Sequence, residues 1–221
     1  MVNKKKNLQP PLSQIIADEL KERIWQGEIQ FGERLMEPDL STELGVSRSS
    51  LREAFQMLQH EGIVDITPRK GTFVKKFETT HLQEIYDARL LLEEYSFIRA
   101  IRNIKQVHID KLEKYLRLMK NEINDGNWEG ILKLDLDFHE YVVSLCENDL
   151  IVKFYSLIIV QIRTFLSRLS LYYDDPNTLY EEHLELLEAI KTRNEEIVKQ
   201  KIIEHIEDAG KRLFLNKEVG N

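Results

Sequence analysis

The sequence predicts a mainly α-helical fold in two units: three helices with a two-stranded hairpin first, then an all-α bundle of about six helices. Three observations predict it. Apolar residues recur at helical spacing through most of the 221 residues. Strand-like alternation of apolar and polar residues occurs only at 63–67 and 71–77, and not after Phe77. The charge divides at the same point. Through Glu78 there are 12 basic and 12 acidic side chains, and the remainder holds 19 basic and 26 acidic ones, so the formal net charge of −7 belongs wholly to the second part. The expected organisation is a disordered tail at 1–11, a first domain at 12–77 and a second at 78–217.

Each element has its own signals. Pro10 and Pro11 close the tail, and Ser13 is positioned to cap a first helix with Ile16, Leu20 and Ile24 on one face. Gly27 and Gly32 bracket a turn, a short helix spans about Pro38 to Leu44, and Gly45 turns the chain again. Ser47 is the expected N-cap of the third helix, with Val46 and Leu51 as a hydrophobic staple. Leu51, Ala54, Phe55 and Leu58 form its buried stripe, and Gly62 ends it. Pro68-Arg69-Lys70 joins the two alternating stretches as a hairpin with a basic tip. Beyond it, Thr80 and Gln83 read as a capping box for a helix to about Asn103. Further helices fit 107–124, 128–146, 149–172, 178–192 and 195–215, broken at Gly126, Asn148, Pro176-Asn177 and Asn194.

Composition narrows the function classes. Hydrophobic content of 42% supports packed cores, and charged content of 31% argues against a membrane protein. No apolar run is long enough to span a bilayer, and no signal-peptide core follows the basic N-terminus. The single cysteine, Cys146, excludes an internal disulfide and fits a reducing compartment. The chain is therefore expected in the cytoplasm.

The first unit assembles the parts of a winged helix-turn-helix. The third helix is buried along one stripe, which leaves the opposite face for a major groove, with Arg48 and Arg52 near its N-terminus where base edges are met. Arginine binds a guanine bidentately or clamps a phosphate. Arg48, Arg52, Arg69, Lys70, Lys75 and Lys76 make a local basic patch in an otherwise acidic chain. The stretches Gly27-Glu28-Ile29, Gly32-Glu33-Arg34-Leu35, Leu44-Gly45-Val46-Ser47-Arg48, Leu51-Arg52-Glu53-Ala54, Gly62-Ile63-Val64 and Gly71-Thr72-Phe73-Val74, with Leu58 between, resemble the GntR family of bacterial regulators. The resemblance implies operator DNA as partner, Ser47, Arg48, Ser49 and Arg52 on the recognition helix, and Arg69, Lys70 and Gly71 in the wing. One departure stands out: Pro38 occupies a position where the family often has a DNA-contacting arginine.

The second unit carries a different constellation. Asp135 and His139 are one helical turn apart, on a stripe with Leu132, Phe138 and Val142. His183 shares a stripe with Leu186, Leu187 and Ile190, and His205 one with Val198, Ile202 and Ala209. Four polar groups thus point inward, and a buried carboxylate is costly unless paired or bound to metal. Three nitrogens and one oxygen suit Zn²⁺, Ni²⁺ or Mn²⁺, while hydrogen-bonded core histidines are the plainer alternative. Leu134-Asp135-Leu136-Asp137-Phe138-His139 with Asn148, and Glu182-His183, Glu188-Ala189-Ile190 and His205, resemble the FCD effector domain. That resemblance implies a divalent metal held by Asp135, His139, His183 and His205, and a small organic-acid effector. Arg89 matches an arginine the family often carries; it can pair with an effector carboxylate or with Glu93 one turn on. About six helices after the wing resemble the shorter VanR-like form.

The expected protein is a homodimeric repressor on a pseudo-palindromic operator, with the effector changing the spacing of two winged domains. The alternatives are a regulator for which the ion itself is the signal and a metalloenzyme. Against the latter, no general acid or base is signalled beside the four ligands, and an enzyme leaves the winged helix-turn-helix unexplained.

Overall fold

A computed structural model describes residues 10–76, 78–167 and 175–215. The chain divides after Lys76 into two compact units. The order of elements in the first is α1 (Leu12–Gln26), β1 (Arg34–Leu35), α2 (Glu37–Glu43), α3 (Arg48–His60), β2 (Val64–Thr67) and β3 (Gly71–Val74).

Helix α1 buries Ile16, Leu20 and Ile24, the expected stripe. Ser13 is not its cap. The carbonyl of Pro11 accepts from Gln14 and Ile15 N–H, so the helix starts at Leu12 and Ser13 is buried in its first turn. Gly27 closes α1 in the left-handed region (φ 79°) that glycine enters without steric cost. Pro38 sits in the first turn of α2, where a helix has no need of its missing N–H.

Helix α3 is built as expected. Ser47 caps it by accepting from Ser50 N–H at 3.1 Å, and Leu51, Ala54, Phe55 and Leu58 are buried. Strands β2 and β3 pair antiparallel from Val64↔Val74 to Thr67↔Gly71. The sheet also has a third strand, β1, paired with β3 through Arg34↔Phe73 and Leu35↔Thr72. Two residues are too few to show alternation, so only pairing reveals that strand.

The second unit is helical among its described residues: α4 (Thr79–Asn103), α5 (Gln106–Asp125), α6 (Trp128–Ser144), α7 (Asp149–Leu166), α8 (Pro176–Thr192) and α9 (Glu195–Leu215). The Thr80–Gln83 capping box does not form, because α4 begins two residues earlier, with the Glu78 carbonyl accepting from Leu82 N–H. Helix α8 starts at Pro176, two residues earlier than expected, since a first-turn proline begins a helix and Asp175 caps it. Asn127, Asn148 and Asn194 each turn a side-chain oxygen onto the free N–H groups of the next helix. The end of the long helix expected at 149–172 falls partly outside the described residues.

The core holds Phe97, Leu112, Met119, Phe138, Val142, Leu186, Ile190, Val198 and Ile202, all at most 2% exposed. Helix α4 packs against α6, α7 and α9, and α8 packs against α5 and α9. That arrangement brings the inward stripes of α4, α6, α8 and α9 together. No described helix is long and apolar enough to cross a membrane.

Candidate functional site

In the first unit, α3 presents Arg48, Ser49 and Arg52 on its exposed side. Arg52 donates from Nε to Glu37 Oε2 on α2 at 2.8 Å, with its side chain 65% exposed. Ser47 Oγ lies within hydrogen-bond distance of the hydroxyls of both Ser49 and Ser50, so one cap organises the N-terminal turn. At the hairpin tip Arg69 adopts a left-handed conformation (φ 64°), and Arg69 and Lys70 are exposed. Gly71 has φ 114°, and a Cβ there would stand 2.9 Å from Arg34 Nε. Arg34, brought to the wing by β1 and lying over the Phe73 ring, was not singled out by sequence. This surface offers a capped helix N-terminus, flanking guanidinium groups and a basic tip, as a phosphate backbone and a groove require.

In the second unit, α6 brings Asp135 and His139, α8 brings His183 and α9 brings His205. All four are buried, and one ligand atom from each lies within 4.8 Å of the others. Two ligands at about 2.0–2.1 Å from an ion span about 4 Å at most, so a small contraction gathers the set. His183 Nε2 stands 3.0 Å from Asp135 Oδ1, and His139 Nε2 stands 3.1 Å from His205 Nε2.

The outer nitrogens account for this inward aim. His139 Nδ1 is 2.6 Å from Glu93 Oε2, and His183 Nδ1 is 2.8 Å from the Leu179 carbonyl. An N–H donated outward leaves the Nε2 lone pair for the centre. His205 Nδ1 has no hydrogen-bond partner and lies 3.7 Å from Glu182 Oε2, a carboxylate also paired with Arg212. The donor types, their burial and the fixed ring orientations fit a divalent transition metal.

Electrostatics agree at Asp135, His139 and His205 and run the other way at His183. Burial raises the Asp135 carboxyl, but His183, His139 and Arg89 outweigh it and hold it below the ordinary range. Burial lowers His139 and pushes His205 well down, the latter helped by the charges of His183 and His139, which favours the neutral, metal-binding form. For His183 burial also lowers the value, but Asp135 outweighs it and leaves it raised.

Arg89 is 2% exposed and donates from Nε to Glu93 Oε1 at 2.7 Å, so the ion pair expected as one of its two roles is formed. Its Nη2 is buried without a hydrogen-bond partner, which leaves a donor for a further acceptor. Sequence reasoning missed the roles of Glu93 and Tyr155, whose hydroxyl donates to Glu93 Oε1 at 2.8 Å. Only the i, i+4 spacing of Glu93 from Arg89 hinted at the first. Beside His205 a cleft of about 70 Å³ is lined by Glu182, Glu185, Leu186, Lys201, Glu204 and Asp208.

Comparison with known proteins covers both units. Residues 12–74 match the family described as bacterial regulatory proteins, gntR family, and residues 84–208 match the FCD domain family. The gluconate operon transcriptional repressor of Bacillus licheniformis is 30% identical over 199 residues, covering 87% of this chain and 81% of the relative. The Nta operon transcriptional regulator of Aminobacter aminovorans is 30% identical over 176 residues, covering 80% and 82%. Among solved structures, a GntR regulator from Rhodococcus sp. RHA1 aligns with TM-score 0.77 at 23% identity, covering 91% of this chain and 97% of that one. E. coli McbR/YncC aligns with TM-score 0.79 at 20% identity, covering 96% and 100%.

Proposed function

The chain belongs to the GntR family of bacterial regulatory proteins and carries an FCD domain, and from that premise we propose a cytoplasmic repressor whose hold on operator DNA is set by a small organic acid bound at a divalent metal centre. That it is a DNA-binding transcriptional regulator and not an enzyme follows from the family. The observation that carries the rest is the convergence of Asp135, His139, His183 and His205 in the core of the helical unit. An N₃O set leaves positions on the ion open for a carboxylate, and the spare Nη2 of Arg89 supplies a charged donor nearby. When bound, the ion would act as a Lewis acid anchoring the effector's carboxylate. Relatives named for a gluconate operon favour the organic-acid class.

Zn²⁺, Ni²⁺ and Mn²⁺ all suit these donors. Ser47, Arg48, Ser49 and Arg52 would meet the major groove, with Arg69, Lys70 and Gly71 at the neighbouring backbone or minor groove.

Homodimerisation is supported by an exposed apolar face on α4 and α7. The contacts Tyr95–Asn148 and His81–Gln161 show the two helices antiparallel. Leu91 (71% exposed), Tyr95 (41%), Leu150 (59%) and Phe154 (50%) therefore lie at one level, and such a patch marks an interaction surface.

One observation favours the ion itself as the signal. The cleft beside His205 is lined by four carboxylates against one lysine, which suits a cation approaching the centre better than an anion.

The test is elemental analysis of untagged protein prepared without chelator, beside a His183→Ala variant, followed by operator binding with and without small carboxylates. One equivalent of metal per chain, lost in the variant, together with carboxylate-dependent release of DNA, is expected. Release by metal alone would favour the ion as signal. Absence of metal in wild type after adding Zn²⁺, Ni²⁺ or Mn²⁺ would return the four residues to core packing.

A further inference from the structure

We propose that Glu93 is the positioning residue of the metal centre, and that its two carboxylate oxygens join the centre to Arg89. The inference rests on the metal-centre reading above and assigns a role to a residue outside the four-ligand set.

Glu93 is fully buried on α4, and each of its oxygens is engaged. Oε2 meets His139 Nδ1 at 2.6 Å. Oε1 accepts from Arg89 Nε at 2.7 Å and from the Tyr155 hydroxyl at 2.8 Å. Three helices, α4, α6 and α7, therefore meet on one carboxylate. Three donors converge on this one buried carboxylate, the arrangement an anion requires.

The geometry gives the carboxylate two effects. Accepting from Nδ1–H fixes the His139 tautomer, so that Nε2 keeps its lone pair toward the other three ligands, and it makes that nitrogen a stronger donor. Glu93 holds Arg89 by Nε, and Nη2 has no hydrogen-bond partner. Any acceptor that draws the guanidinium changes how much of the Glu93 charge remains for His139. Ion and guanidinium are thus coupled through one side chain, over contacts of 2.6 and 2.7 Å. The partner roles of the other two histidines differ: a main-chain carbonyl serves His183, and the Glu182 carboxylate stands 3.7 Å from His205. Only at His139 does a fully buried side chain hold the ring.

The experiment measures Zn²⁺ affinity by competition with a chelator, and the visible spectrum of the Co²⁺-loaded form, for full-length wild type, Glu93→Gln, Arg89→Met and the double variant. The apo-proteins are compared by circular dichroism. Glu93→Gln should lose about 10–100-fold in Zn²⁺ affinity and shift the Co²⁺ bands while the apo-protein stays folded. The Arg89→Met effect should be smaller and should not add to that of Glu93→Gln. Unchanged affinity and spectrum in Glu93→Gln overturn the positioning role, and strictly additive effects overturn the link to Arg89. If Glu93→Gln does not fold, Tyr155→Phe takes its place, removing one hydroxyl from the same carboxylate. A several-fold loss with shifted bands then supports the role, and wild-type behaviour overturns it. Wild type that binds neither Zn²⁺ nor Co²⁺ fails at the earlier step and removes the metal centre itself.

Discussion

Arg52 and Arg89 each donate from Nε to a glutamate, one across two helices and one within a helix, in opposite surroundings. Arg52 is 65% exposed by side chain and bonded to Glu37, so water competes for that pair and it contributes little to stability. Its guanidinium is available to DNA at small cost. Arg52→Ala should weaken operator binding by about 1–3 kcal/mol if it reads a base; gel-shift titration showing wild-type affinity would remove it from the recognition face. Arg89 is buried on Glu93, where an unpaired partner would be costly. Arg89→Ala should raise the carboxylate concentration needed to release DNA by roughly tenfold or more, the worth of a charged hydrogen bond, with metal retained more loosely. An unchanged effector response, read by titrating the DNA complex, would confine Arg89 to its ion pair. Both arginines were legible in the sequence as functional candidates. Which of them would be exposed was not, because exposure depends on the helices that pack around each.

At the scale of the element, α3 is specified almost wholly by local chemistry. Its cap and stripe are contiguous in sequence, and the structure follows both residue for residue. Ser47→Ala removes the cap acceptor and should cost about 1 kcal/mol. With two tryptophans in the chain, one in each unit, a Trp128→Phe background lets Trp25 report the first unit alone during urea unfolding. No change in the midpoint would show that the neighbouring serine hydroxyls replace the cap. The signals at Ser13 and Thr80 misled for one reason: a residue able to cap is also tolerated inside the first turn, and main-chain carbonyls of Pro11 and Glu78 began those helices earlier. Strand β1 escaped notice because its two residues become a strand only by pairing with β3.

For the whole molecule, the proposed metal centre links metal to stability, since its four residues come from three helices and are gathered only in the folded helical unit. Free metal at 100 times its Kd adds about 2.7 kcal/mol to the folded state by mass action. Chelator should therefore lower the thermal transition of the helical unit, followed at Trp128, and leave that of the first unit where it was. Equal shifts in both would mean that chelation acts through something other than this site. The apolar face of α4 and α7 supplies a second check: Phe154→Glu should shift the protein toward monomer in sedimentation and weaken operator binding, and an unaltered dimer would place the interface elsewhere. By itself the sequence determined the two-unit organisation, the capped third helix with Arg48 and Arg52 on its exposed side, and the inward stripes that carry Asp135, His139, His183 and His205. All of these are written in periodicity, capping and charge within one or two helical turns. Tertiary structure alone decided that the three stripes converge, that Glu93 and Tyr155 stand behind His139, and that Arg89 is buried with one donor unpaired. Those contacts join residues as much as 66 positions apart; helix packing sets them, and no local pattern encodes which helix faces which.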